Sequence, residues 1–239
     1  MKRIPVVFAA ILCFFASAFF SPAAAETVDL TILHINDFHG NLLPKPGKEG
    51  KPATGGMAYI AKMVSEEREK NPEGTLLLSA GDMFQGTPIS NLFRGKPVIE
   101  TMNRMGFDAM TLGNHEFDWG MEAFSDLRDG AAFPFLSANI VDEKGALLPG
   151  VKPYVIVRRK GLKLAVIGIT TPETRYATKP ENLKGYRVIP VEKVLPALIE
   201  KVKKEGAGLI IVLSHMGLDE DREMASRVGG IDLIVGGHS

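Results

Sequence analysis

Cysteine is nearly absent from this chain of 239 residues, which contains only Cys13. Cys13 lies in an N-terminal segment that we expect to be removed, so the mature chain would have no disulfide and no thiolate ligand. Small disulfide-stabilised scaffolds and thiolate zinc sites are thereby excluded. Any bound metal would have to be held by His, Asp, Glu, Asn or Gln.

An excess of charge of either sign is also missing, because 28 Lys and Arg residues balance 28 Asp and Glu residues. Loss of Lys2 and Arg3 with the first 25 residues would leave 26 basic and 28 acidic side chains, a net charge of −2. Nothing in this balance indicates a basic surface, so we expect no nucleic-acid polymer as a partner. The content of 45% hydrophobic and 23% charged residues is typical of a globular protein.

Long apolar runs are rare, and the one at residues 6–20 has a distinctive setting. The basic residues Lys2 and Arg3 precede it, and the small residues Ala23-Ala24-Ala25 follow it. This order is typical of a secretory signal peptide, so we predict cleavage after residue 25. A membrane anchor is the alternative, but an apolar segment of about 17 residues is at the low end for a span. We expect an exported monomer without a stable membrane span, in a periplasm, outside the cell or in a cell wall.

The remaining chain alternates short β-branched apolar runs with helix-like segments, which favours an α/β domain. Residues 57–70 repeat apolar side chains at helical spacing, and residues 194–202 do the same with Pro196 in the first turn. Two predicted strands at residues 154–158 and 163–169 lie close enough for a hairpin, so we expect mixed sheets. The predicted strands are Thr27–Leu33, Thr75–Ser79, Ala109–Leu112, Phe135–Ala138, Tyr154–Arg158, Lys163–Ile169, Leu209–Leu213 and Asp232–Val235.

Polar side chains that could bind metals follow five of these strands. In open α/β sheets the loops that leave the carboxyl ends of the strands are where ligands bind. Each residue alone has an ordinary explanation, since an Asp after Gly is often a turn residue and Asn tolerates a left-handed turn. The joint pattern at equivalent strand ends favours a site. The candidates are Asp37, His39, Asp82, Asn114, His115, Asp118, His215 and His238; we assign Glu116 to structural support and His34 to the core.

Several segments resemble the calcineurin-like metallophosphoesterases, and more closely their secreted 5′-nucleotidase branch, which includes UDP-sugar hydrolases and 2′,3′-cyclic phosphodiesterases. The matching segments include "LHINDFHGNLLP", "LLLSAGDMFQGTP", "VIETMNRMGFDAMTLGNHEFDWG", "LIIVLSHMGLDED" and "IDLIVGGHS", spread over residues 30–239. The resemblance implies a four-layer α/β/β/α sandwich of two mixed sheets flanked by helices. It also implies a two-metal site at the strand ends.

By the matching motifs, Asp37 and His39 would bind one metal and Asp82 would bridge both. The second metal would be completed by Asn114, His215 and His238. His115 would act on the phosphoryl group, with Asp118 positioning it, and Asn114 and His115 would contact the substrate.

This residue set also suits the chemistry. Two divalent cations about 3.5–4 Å apart can hold both the attacking and the leaving oxygen of a phosphoryl displacement, and they need a shared carboxylate. His115 suits protonation of a leaving alkoxide, because the pKa of histidine lies near the working pH. Ligands of N and O fit Zn, Mn, Fe or Co.

The chain departs from the family's pattern at "GGHS", where the motif continues as Gly-His-x-His or Gly-His-x-Gln. We therefore expect residues 26–239 to form a catalytic domain that stops inside this motif. The second domain, which the resemblance implies to carry nucleobase-stacking aromatic residues and substrate specificity, would be absent.

The leading functional prediction is a metal-dependent phosphomonoester hydrolase that acts on nucleoside 5′-monophosphates. An alternative is a 2′,3′-cyclic-nucleotide phosphodiesterase or a nucleotide-sugar pyrophosphatase with the same metal centre. A non-enzymatic alternative is an inert or weakly metal-binding domain.

Overall fold

The computed structural model describes residues 27–239, which form an α/β domain. Its strands are β1 (Thr31–Ile35), β2 (Thr75–Ser79), β3 (Ala109–Thr111), β4 (Phe135–Leu136), β5 (Ile140–Asp142), β6 (Tyr154–Arg159), β7 (Leu162–Thr170), β8 (Tyr186–Val188), β9 (Leu209–His215) and β10 (Leu233–Gly236). Its α-helices are α1 (Met57–Lys70), α2 (Pro88–Leu92), α3 (Lys96–Met105), α4 (Gly120–Gly130), α5 (Thr174–Ala177), α6 (Leu195–Lys204) and α7 (Leu218–Arg227). Short 3-10 helices lie at His115–Phe117, Pro180–Leu183 and Val191–Lys193.

Two four-stranded sheets organise the domain. The first sheet has the order β1-β2-β3-β4, and all of its strand pairs are parallel. The second has the order β10-β9-β7-β6 and is mixed, because β6 pairs antiparallel with β7. The expectation of two mixed sheets is therefore wrong for the first. Each of its connections from β1 to β4 contains at least one helix, and such crossovers join parallel strands.

The sheets pack face to face with helices outside, as the alternation of side chains along β2 and β9 shows. Leu76 and Leu78 of β2 meet Ile211 and Leu213 of β9 in the core between the sheets. The intervening Leu77 faces the core under helices α1, α3 and α4, whereas Ile210 and Val212 of β9 face α6 and α7. Because successive side chains of a strand point to opposite faces, each sheet is covered on both sides. The four-layer α/β/β/α architecture is confirmed.

Several element boundaries follow the prediction closely. Helix α1 has the predicted bounds, and Pro196 lies in the first turn of α6, as expected. The β6–β7 hairpin is tighter than predicted, because Arg159 pairs with Leu162 and leaves only Lys160-Gly161 in the turn. Both turn residues have positive φ, 45° and 80°, as a two-residue hairpin turn that matches the strand twist requires.

Two predictions about local structure are wrong. The first strand begins at Thr31 rather than at Thr27, because its parallel partner β2 begins at Thr75, which pairs with Thr31. His34, expected in the core, is exposed because β1 is the edge strand of its sheet. The antiparallel pair β5–β8 was not predicted.

The predicted signal peptide lies outside the described residues. Within residues 27–239, the helices are all too short or too polar to cross a membrane.

Candidate two-metal site

The candidate ligands meet at one edge of the sandwich, where the parallel strands of both sheets end. One group consists of Asp37, His39 and Asp82, and a second consists of Asp82, His215 and His238. In each group, one ligand atom from every residue lies within 4.8 Å of the others. Asp82 belongs to both groups, which is the arrangement that a carboxylate shared between two cations requires.

Backbone strain is concentrated at these same residues. Asp37, His39, Asp82 and His238 have φ values of 48°, 48°, 54° and 73°. They make up four of the seven non-glycine residues with positive φ in the described part of the chain. Because such conformations are unfavourable for residues with a Cβ atom and persist where the surroundings enforce them, their clustering marks a functional site.

Two glycines allow the strand ends to approach one another around Asp82. A Cβ atom on Gly113 would lie 2.1 Å from Asp82 Oδ1, and one on Gly81 would lie 2.8 Å from His215 Nδ1. Gly81 also has a φ of +92°, which other residues rarely adopt. The predicted ligands can therefore converge only because both positions lack a side chain.

Backbone carbonyls fix the orientation of two histidine rings. His39 Nδ1 lies 2.8 Å from the carbonyl oxygen of Gln85, and His215 Nδ1 lies 2.6 Å from that of Ala80. A carbonyl accepts only, so both Nδ1 atoms carry hydrogen and donate. The neutral rings then present Nε2 lone pairs, as metal-binding histidines do when an outer partner fixes their tautomer.

Two unpartnered atoms test whether the residues fit a metal. Asn114 Oδ1 and His215 Nε2 are buried and lack a hydrogen-bond partner among the described residues. His215 Nε2 lies 3.2 Å from Asp82 Oδ2. When the histidine is neutral, the lone pair of Nε2 therefore points at the negatively charged carboxylate. Buried acceptors without a hydrogen-bond partner destabilise the folded protein, and a cation bound by these atoms would remove that destabilisation. The donor set of carboxylate, amide oxygen and imidazole therefore fits divalent metal ions.

The pKa values of His215 and Asp82 are both shifted in the direction that favours a positive charge beside the carboxylate. Burial lowers the pKa of His215, but the nearby carboxylate of Asp82 outweighs burial and raises that pKa to about 9. Burial would raise the pKa of Asp82, yet His215 and the backbone N–H of His115 hold it below its usual value. In the absence of a metal, a proton takes the place between the two side chains.

Glu116 joins two loops of the site and belongs to neither ligand group. Its carboxylate is buried and accepts backbone N–H groups of Asp82, Met83 and Gly113 at 2.9, 2.9 and 2.6 Å. Burial and then the charge of Asp82 raise the pKa of Glu116 to about 7, against the effect of these donors. Glu116 therefore connects the loop after β2 to the loop after β3.

His115 and Asp118 form a pair beside the ligand groups. The 3-10 turn His115–Phe117 brings His115 Nδ1 to 2.6 Å from Asp118 Oδ2. This hydrogen bond raises the pKa of His115, while its partial burial acts in the opposite direction. The His115 ring lies 5.2 Å from the His39 ring, and its backbone N–H donates to Asp82 Oδ1 at 2.9 Å. Its free Nε2 can therefore serve a substrate bound at the ligand groups.

Sequence reasoning missed Glu173, which approaches His238. Glu173 Oε2 lies 3.2 Å from His238 Nε2, a contact that leaves Nδ1 of the ring for a metal. Glu173 follows β7, so it occupies the end of a sixth strand, and inspection of that strand end would have found it. His238 is held from the other side, because its backbone N–H donates to Asp37 Oδ2 at 3.0 Å.

The chain matches the calcineurin-like phosphoesterase family over residues 30–239. It is 40% identical over 225 residues to snake venom 5′-nucleotidase of Crotalus adamanteus, a match that covers 90% of this chain and 38% of the relative. Among solved structures, a 5′-nucleotidase precursor from Thermus thermophilus is 35% identical with a TM-score of 0.78, covering 87% of this chain and 41% of that one.

A second solved structure, the NAD nucleotidase NadN of Haemophilus influenzae, is also 35% identical with a TM-score of 0.78. The match covers 89% of this chain and 38% of NadN. The chain thus spans less than half the length of each of these three relatives.

Proposed function

Because the chain belongs to the calcineurin-like phosphoesterase family, we propose that it is a metal-dependent hydrolase of phosphomonoesters, with nucleoside 5′-monophosphates as substrates. The observation that carries the proposal is the position of Asp82, shared by two ligand groups and bonded to the backbone of His115. The names of the relatives from Crotalus adamanteus and Thermus thermophilus support the choice of substrate.

Two divalent cations would be held by six residues and, when bound, would activate water and polarise the phosphoryl group. Asp37 and His39 belong to one site, Asn114, His215 and His238 to the other, and Asp82 to both. The carbonyls of Gln85 and Ala80 keep two of the imidazoles in the tautomer that leaves Nε2 free. The ligand groups support these assignments except that of Asn114, which rests on the resemblance of its motif and on its buried, unpartnered Oδ1.

In the proposed reaction, water replaces the ester oxygen at phosphorus and the P–O ester bond breaks. His115 Nε2 holds the proton that the leaving oxygen takes. Asp118 keeps the ring oriented and stabilises its protonated form through the bond to Nδ1. A positioned acid of this kind contributes about 10²–10⁴-fold to a rate. Asn114 and His115 would contact the phosphoryl group.

The test is phosphate release from AMP by residues 26–239 with Mn or Zn added, compared with the same protein in EDTA. We expect metal-dependent release. An absence of release from AMP and from simple phosphate esters, with metals bound, would overturn the proposal. It would favour the alternative of a metal-binding domain without catalysis.

A second candidate is hydrolysis of phosphodiesters or pyrophosphates, which the similarity to an NAD nucleotidase favours. The same residues suit either reaction, because both need an activated water and an acid at the leaving oxygen. Turnover of 2′,3′-cyclic AMP and of a nucleotide sugar, measured beside AMP, separates the two. Faster turnover of either would make it the main activity.

We also propose export from the cytoplasm as a monomer. The arrangement of basic, apolar and small residues at positions 1–25 supports export, as does the venom origin of a relative. Mass spectrometry of the mature protein should find Glu26 at its N-terminus, and light scattering should give the mass of one chain.

A further inference from the structure

The turn that carries His115 and Asp118 is held at its beginning by the candidate ligand region. The backbone N–H of His115 donates to Asp82 Oδ1 at 2.9 Å, and the buried carboxylate of Glu116 accepts backbone N–H groups of both neighbouring loops. Asp118 lies at the end of the turn, and its carboxylate is the group that orients the His115 ring. A shift of the Asp118 backbone would therefore shift the imidazole of His115.

A side chain from the segment between β7 and β8 contacts the backbone of Asp118. Asn182 Nδ2 donates to the carbonyl oxygen of Asp118 at 3.0 Å. Asn182 is half-buried, and the next residue, Leu183, is buried in the core beneath helices α1, α3 and α4. Because the hydrogen bond goes to the backbone, it fixes the position of Asp118 and leaves the carboxylate free to bind His115.

The segment that carries Asn182 is fixed on both sides of it. The segment leaves β7 at Thr170 and passes Glu173, whose carboxylate approaches His238. After Leu183 it enters β8, which pairs antiparallel with β5. A group held by such a frame can keep a catalytic side chain in its productive geometry, as a supporting shell around a site must do.

We propose that Asn182 is a positioning residue for the pair formed by His115 and Asp118. It acts through the backbone of Asp118, and it thereby aligns His115 Nε2 with the oxygen of the leaving group. The assignment rests on the proposed function, because it takes His115 as the proton donor. Misplacement of a catalytic group by about 1 Å can lower a rate by about 100-fold.

The test compares two substrates that differ in their need for a proton. The alkoxide that leaves AMP must be protonated, whereas the p-nitrophenolate that leaves p-nitrophenyl phosphate is stable without a proton. Asn182→Ala should therefore lower kcat for AMP by about 10- to 100-fold and leave kcat for p-nitrophenyl phosphate near the wild-type value. Damage to the fold or to the metal site would lower both rates. Equal decreases for the two substrates, or an unchanged kcat for AMP, would overturn the proposal.

Two conservative variants and a matched control sharpen the result. Asn182→Gln keeps an amide donor and should recover part of the rate with AMP, whereas Asn182→Asp has no N–H to donate and should not. Asn103 is also half-buried, and its Nδ2 donates to the carbonyl of Gly130 at 2.8 Å, which joins α3 to the end of α4. Asn103→Ala should leave both rates unchanged. Equal losses in Asn103→Ala and Asn182→Ala would mean that the bond to Asp118 has only a structural role.

A spectroscopic measurement separates this inference from the proposed function. In NMR spectra of the metal-free protein, the Nδ1–H proton of His115 is identified by its absence in His115→Gln. Its signal should shift in Asn182→Ala and stay in place in Asn103→Ala. If neither ester is hydrolysed, or if His115→Gln lowers both rates equally, the proposed function or its proton donor fails. The NMR signal then still decides whether Asn182 orients the ring, and an unshifted signal in Asn182→Ala would overturn the inference.

Discussion

The two ends of the sandwich differ in whether their charged and polar groups have hydrogen-bond or ionic partners. At the end where the parallel strands begin, Asp108 Oδ2 accepts the backbone N–H of Leu77 at 2.9 Å and its other oxygen contacts Arg159. Arg159 comes from the second sheet and also donates to the carbonyl of Thr75 at 2.8 Å. These groups therefore satisfy one another's hydrogen bonds and charges, and they connect the two sheets.

At the end where the strands finish, several charged and polar groups lack such partners. Asp82 is balanced by His215 only when that ring carries a second proton. Asn114 Oδ1 has no partner among the described residues, and four ligand residues have strained backbones. Satisfied buried groups stabilise a fold, whereas unsatisfied ones are kept where function needs them. Stability is therefore concentrated at one end of the strands and chemistry at the other.

The largest expected effect is that of Asp82→Asn. Removal of the shared carboxylate should abolish metal binding at both ligand groups and lower phosphate release by more than about 100-fold, beyond the loss of a merely supporting group. The melting temperature of the metal-free protein should also fall, because protonated His215 loses the carboxylate that neutralises it. Metal analysis and calorimetry in EDTA check both outcomes. Wild-type metal content would remove Asp82 from its bridging role.

The next effect is that of His115→Gln, which should lower kcat by about 10²–10⁴-fold through loss of the acid. Metal content should stay at the wild-type value, because His115 contributes its backbone N–H to Asp82 and no ligand atom to either group. Turnover of AMP and metal stoichiometry are measured on the same sample. An unchanged kcat would exclude His115 as the catalytic acid.

At the opposite end, Asp108→Ala should lower the free energy of unfolding by about 2–3 kcal/mol, because Arg159 loses its carboxylate partner and the N–H of Leu77 loses its acceptor. Metal content and kcat should not change. Asp129→Ala is the control, since its carboxylate is exposed and such surface pairs are worth about 0–1 kcal/mol. Urea unfolding measures both. A loss of metal in Asp108→Ala would contradict the conclusion that stability and metal binding depend on opposite ends of the strands.

A smaller effect is expected from Asp118→Asn, and it is seen best as a change with pH. Asp118 raises the pKa of His115, so its neutralisation should lower that pKa. Catalysis that needs protonated His115 declines as the pH rises through this pKa, so the decline should begin at lower pH in the variant. Asp126→Asn, an exposed carboxylate paired with Lys96, should leave the pH–kcat profile in place. Superimposable profiles for Asp118→Asn and wild type would separate Asp118 from His115.

The smallest effect is that of Glu173→Gln, which should weaken metal binding by about 10-fold, the lower end for loss of an outer partner of a metal-bound histidine. Calorimetric titration with Mn or Zn measures the affinity without turnover. The control is Glu143→Gln, an exposed glutamate in the loop after β5. Equal affinities in both variants would mean that the contact with His238 has no effect on metal binding.

Much of the fold could be predicted, because its signals are local. The helical spacing of residues 57–70 and the apolar run at residues 75–79 gave the bounds of α1 and β2 without error. The strands β5 and β8 have only three residues each, too few for a recognisable pattern. Whether His34 is buried depends on the order of the strands, which local patterns do not specify.

The candidate site could be predicted as a set of residues because all its members follow strand ends. The hydrogen-bond partners of these residues could not be predicted, because the partners are backbone groups or side chains far away in the sequence. No motif assigns a role to the carbonyl of Gln85 or to the carboxylate of Glu173.

By itself, the sequence determined the α/β class, the family and the identity of the candidate ligands, since these depend on residue types in a fixed order. Only the tertiary structure decided which imidazole nitrogens are free and that Glu173 reaches His238. These properties depend on distances between segments far apart in the chain. Such distances are fixed by the packing of the two sheets, and in particular by the space that Gly81 and Gly113 leave open.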